Sequence, residues 1–141
     1  MKKLPIIVVV LLSAAVLAGT QESVDSLKAR ADKAHPKQQA ELCTKIAERQ
    51  LDAFDKAYNG GTVKEAQEAL GDVVTYGVQA AKVSSESGKR MKQTEIALRK
   101  ISGRLEAIRK TLDVDDRPPV AGAIQKLEAA RNELLNRMFR K

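Results

Sequence analysis

A chain of 141 residues with a formal charge of +7, 3% aromatic side chains and no Trp has length for one domain and few rings on which to stack nucleic-acid bases. One cysteine and one histidine exclude an intramolecular disulfide and any imidazole pair built from a single copy. Ala, Leu, Lys, Glu, Arg and Gln dominate, and no period-two alternation runs long enough for a strand, so the composition predicts an all-α fold.

The chain opens on Lys2 and Lys3, and Leu4 to Ala18 is apolar apart from Pro5 and Ser13. A basic start, an apolar run shorter than the ~20 residues of a spanning helix and small or branched residues at the inspected positions of Val16-Leu17-Ala18 read as a secretory signal over residues 1–18. Cleavage is expected after Ala18 or Gly19. Leu17-Ala18-Gly19 resembles the end of a lipoprotein signal, but Thr20 stands where the lipid-bearing cysteine belongs. Without a thiol no thioether forms, so the product is expected to be exported to the periplasm or secreted, and not to be a lipoprotein. Residues 19–141 are expected to form a single helical domain.

A first helix is predicted from Ser23 to about Ala34, with Val24, Leu27 and Ala31 on one face, stopped by His35-Pro36. A second runs from about Pro36 to Tyr58, its apolar stripe formed by Ala40, Cys43, Ala47, Leu51, Phe54 and Tyr58. Asn59-Gly60-Gly61 ends it, because these residues tolerate positive φ. Thr62, with Glu65 three residues later, has the form of a capping box.

From Val63 a 3-4 spacing then runs through Ala66, Leu70, Val73, Gly77, Ala80, Ser84, Ser87 and Met91. It continues in phase through Thr94, Leu98, Ile101, Leu105, Ile108 and Leu112. The phase predicts one helix of ~75 Å from Thr62 to Leu112. Opposing it, Ser84-Ser85-Glu86-Ser87-Gly88 is poor helix interior, and a kink near Gly88 is the rival. After an Asp-rich turn with Pro118 and Pro119, a last helix is expected from Pro119 to Met138, capped by one of Asp113, Asp115 or Asp116. A straight central helix gives antiparallel helical hairpins sharing a spine; a kink closes them into a compact four-helix bundle.

Enzymatic constellations are missing. His35 reads as a helix-boundary residue. There is no Cys-x-x-Cys, phosphate-binding glycine loop or nucleophile elbow, and the aspartates at 113–116 lack the spacing and distal Glu of a calcium loop. No catalytic residue, metal site or cofactor is expected. Cys43, inside an apolar stripe, is expected to be buried, with a disulfide-linked homodimer as the alternative.

Charge is uneven. Residues 89–112 carry Lys89, Arg90, Lys92, Arg99, Lys100, Arg104, Arg109 and Lys110 against Glu95 and Glu106 alone. This segment is either a solvated face with i,i+4 pairs at Glu95–Arg99 and Glu106–Lys110, or a strip for anionic surfaces such as lipid headgroups or wall polymers. Nucleic acid is not expected as a partner, since no aromatic residues are interleaved with the charges.

Tyr58-Asn59-Gly60-Gly61 with Ala66, Leu70 and Val73 resembles the middle of a tetratricopeptide repeat, which implies a helical hairpin over one repeat. The Trp, the closing Pro and a second copy are missing. Lys92-Gln93-Thr94-Glu95-Ile96-Ala97-Leu98-Arg99-Lys100-Ile101, with Arg117-Pro118-Pro119, resembles a group of small exported helical bacterial proteins; it implies no activity and no site residues. The expected function is a non-enzymatic exported protein working through protein–protein contacts with an unidentified partner or a second copy. The alternative is a binder of anionic surfaces through residues 89–112.

Overall fold

A computed structural model describes residues 22–140; the signal expected over 1–18 and its cleavage point lie outside the described residues. The elements are α1 (Val24–Lys33), α2 (Pro36–Asn59), α3 (Val63–Ser87), α4 (Met91–Thr111), a 3-10 turn (Val114–Asp116) and α5 (Arg117–Phe139). No strand occurs among the described residues.

Local chemistry explains most boundaries. Ser23 caps α1, its hydroxyl accepting the Ser26 N–H at 3.1 Å. His35 and Pro36 hand α1 over to α2, with Pro36 at the first helical position, where a missing N–H costs nothing. At the end of α2, Thr62 N–H donates to the Ala57 carbonyl at 2.9 Å and Gly61 N–H to Tyr58 at 3.2 Å. This double bond pattern needs a left-handed residue, supplied by Gly61 at φ 80°.

Two expected caps do not form. Thr62 makes no side-chain cap bond; its φ of −95° and ψ of 74° lie outside the extended geometry that aims a cap hydroxyl at the first turn. Asp116 precedes α5 without capping it. A cap needs an N–H at the second or third helical position, and Pro118 and Pro119 occupy both.

The helix predicted to run unbroken from Thr62 to Leu112 is broken. It stops at Ser87 and restarts at Met91, with Gly88 at φ 74° and Arg90 at φ 57° turning the chain back. The arrangement is therefore the compact bundle rather than hairpins on a straight spine. Reversal lets Leu98, Ile101 and Leu105 on α4 bury within the same core as Ala66, Leu70 and Val73 on α3. A straight helix would leave both sets uncovered in a single copy. Apolar burial of this kind stabilises by about 1.5–3 kcal/mol per large side chain, far more than two left-handed residues cost.

Antiparallel hairpins α2–α3 and α4–α5 pack so that α3 lies on α5 and α2 on α4. The α2–α3 pair realises the hairpin that the repeat resemblance implies. Beside the main core, Leu27 and Ala31 of α1 bury against Leu42, Cys43, Ile46 and Ala80. Asp72 secures that helix, accepting from Lys28 at 2.8 Å and from Gln50 at 2.7 Å. Gly77 lets α3 and α5 approach closely: a Cβ there would stand 2.5 Å from Leu127 Cδ2.

Candidate functional site

The eight basic residues of 89–112 separate into two sets. Arg90 faces Glu41 of α2 at 3.9 Å. Arg99 pairs with Glu95 at 3.3 Å. Arg104 bridges to Asp52 and, at 3.9 Å, to Asp55, both on α2. Arg109 pairs with Glu106; that hydrogen-bonded contact holds the Glu106 carboxyl below its ordinary value and raises the Arg109 guanidinium. Lys110, the partner expected for Glu106, gives way to Arg109. Lys89, Lys92, Lys100 and Lys110 are exposed and form no ion pair among the described residues. Half of the strip's charge is thus answered by carboxylates of the chain itself, and free cationic character rests on four lysines.

The Glu95–Arg99 pair belongs to a larger arrangement. Glu95 is buried, and its second oxygen accepts from Arg131 of α5 at 2.7 Å, while Arg131 also donates to Glu128 at 2.9 Å. Nothing in the local spacing announces this tie, because its key partner lies on another helix.

Sequence reasoning also missed an open trough between α3 and α5. Val74, Val78 and Ala81 on α3 and Ala129 and Ala130 on α5 form its floor; Lys82, Glu86, Lys126 and Glu133 stand along its sides. It continues past Ser85 to Asn136 and Arg137. Val74 to Glu86 spans roughly 18 Å of helix. The trough arises because small residues sit where the two parallel helices face solvent, and helix pairing cannot be read from one helix at a time.

At the opposite end of the bundle, Tyr58 donates to Asp116 at 2.6 Å. That bond, with added burial, pushes the phenol up to about 12. A small hollow beneath it is lined by Phe54, Leu70, Leu112 and Val120. Cys43 is wholly buried, and burial pushes its thiol up to about 11; a protonated, enclosed thiol is a poor nucleophile. His35 is exposed at the start of α2. Among the described residues no group of three His, Cys, Asp or Glu side chains is placed to hold a metal ion, and no helix is long and apolar enough to cross a membrane. No family model matches the chain, and no curated protein or solved structure shows significant similarity to it.

Proposed function

We propose that this is an exported, non-enzymatic helical protein that acts through protein–protein contact in the cell envelope or outside the cell. The observation that carries this reading is the α3–α5 trough. Its floor is apolar and small, its rims carry both signs of charge, and its length suits about three turns of a partner helix laid along it. A partner with an amphipathic helix would bury its apolar stripe on Val74, Val78 and Ala129 and pair with Lys82, Lys126 and Glu133.

Placing a charge on the floor tests this; Val78 is half-buried at the edge of the core, so the helical fold is checked alongside binding. Val78→Glu is expected to abolish co-purification of a cross-linked partner from envelope or culture fractions while the far-ultraviolet circular dichroism stays helical. Unchanged co-purification sinks the reading. Export itself is tested by mass spectrometry of the released product, which should begin at Gly19 or Thr20.

A second reading, binding to an anionic surface, draws on the four lysines without ion pairs. It predicts sedimentation with acidic lipid vesicles that fades as salt rises. Replacing Lys89, Lys92, Lys100 and Lys110 together by Gln should remove it, whereas replacing the paired Arg99 and Arg104 should weaken it less. Equal loss from both sets would contradict this assignment of the contact.

A further inference from the structure

We propose that two copies of this chain exchange halves: the Gly88–Arg90 break straightens, α3 and α4 merge into one helix, and α4–α5 of each copy seats on α1–α3 of the other. The inference is independent of what the α3–α5 trough binds.

Continuity of the apolar spacing is the first ground. The 3-4 steps through Ser84, Ser87, Met91 and Thr94 keep one phase across the break, although a turn has no use for helical register. Both Ser84 and Thr94 are buried. The same residues that line the end of the bundle would therefore lie on one side of a continuous helix, facing the second copy.

The break itself is the second ground. Only three residues separate α3 from α4. Gly88 and Arg90 both adopt left-handed φ, which an arginine does at a cost that straightening would remove. Lys89 and Arg90 are good helix formers, and Gly88 alone resists. Short hinges under strain are where exchange between copies begins.

Exchange also preserves the interior. The contacts joining the two halves, such as Leu98 and Leu127 around Gly77 and Arg104 with Asp52, re-form between copies with the same atoms. Closed and exchanged forms then differ by the hinge and by the entropy of association.

One contact reports which form is present. Ser84 Oγ and Thr94 Oγ1 stand 2.8 Å apart. In a straight helix, ten residues would separate them by about 15 Å, so the contact then exists only between copies. In a Cys43→Ala background, Ser84→Cys with Thr94→Cys should oxidise within the chain in the monomer and between chains in the dimer.

The test uses the chain from Gly19 onward, refolded at millimolar concentration and separated by size exclusion with light scattering. Wild type is expected to give a monomer and a dimer that interconvert slowly, because exchange requires the halves to part. Gly88→Ala should lower the dimer Kd by roughly a hundredfold to a thousandfold, since each of two hinges loses a poor helix residue and strains the closed turn. Arg90→Gly should raise it. The oxidised cysteine pair from the dimer fraction should run as a covalent dimer on a denaturing gel without reductant. Covalent monomers from that fraction, or no dimer in wild type and in Gly88→Ala, overturn the proposal. Should Gly88→Ala fail to fold, Arg90→Gly and the cysteine pair decide it.

Discussion

Glu95 Oε2 accepts a 2.7 Å hydrogen bond from Arg131 Nε across the α4–α5 seam, and Glu95 is only 7% exposed. A carboxylate so enclosed is tolerable because Arg99 holds its other oxygen and Arg131 is itself steadied by Glu128. Removing one partner strands the other. Glu95→Ala and Arg131→Ala are each expected to cost about 2–3 kcal/mol in urea unfolding, with a coupling of at least about 1 kcal/mol in the double-mutant cycle. Additive losses would show that the contact is incidental.

Tyr58 and Asp116 make alkaline pH a probe of the far end of the bundle. The hydrogen bond raises the phenol from 10.0 to about 12, so folding favours its protonated form. Stability from this group is complete below pH 10 and drains away as pH climbs through the folded value. Cys43, raised from 9.0 to about 11, acts in the same direction and begins earlier. The chain has two tyrosines and no Trp, which makes phenolate absorbance easy to assign. Asp116→Asn should bring one of the two ionisations back towards the ordinary phenol value. No movement on that substitution would mean that the bond is not formed in solution.

How much was legible beforehand divides along the reach of each interaction. Helices follow from composition and spacing, and Ala40, Cys43, Ala47, Leu51 and Phe54 are buried as their stripe requires. Val63 begins the next stripe yet stays 53% exposed, because as the first residue of α3 it sits at the rim of the hollow near Tyr58 rather than inside the packed core. The break at Gly88 could not be decided locally: the 3-4 spacing runs through it in one phase, as a straight helix would have it, and only the poor helix formers around Gly88 speak for a turn. What decides it is long-range burial of Leu98 and Leu105. Ion pairs were hidden for the same reason. Arg104 reads as a free cation until Asp52, far back in the chain, is placed beside it.

Glycine substitutions separate close packing from simple helix propensity. Gly71 lies mid-helix with nothing within 4 Å of an added Cβ. Gly71→Ala should therefore stabilise by about 0.5–1 kcal/mol, the ordinary gain for an exposed helical site. At Gly77 the same methyl meets Cδ2 of Leu127, which is wholly buried and would have to shift within the core. Overpacking there costs about 1–3 kcal/mol, enough to offset the propensity gain. Gly77→Ala is expected to lower the urea midpoint while Gly71→Ala raises it. A rise at both positions would mean that the α3–α5 approach is looser than the structure has it.

Two buried serines should respond oppositely to alanine. Ser84 shares its hydroxyl with Thr94 at 2.8 Å, whereas the Ser102 hydroxyl is buried with no partner among the described residues. Ser84→Ala leaves the Thr94 hydroxyl enclosed and unmatched, a loss of about 1–3 kcal/mol. Ser102→Ala deletes an unsatisfied group from the α4–α5 side of the core and adds a better helix former, so a gain of about 1 kcal/mol is expected. Thermal unfolding of the two variants beside wild type reads the difference directly. If Ser102→Ala loses stability, then that hydroxyl has a partner in solution, and the adjoining seam is wetter than a dry helix interface allows.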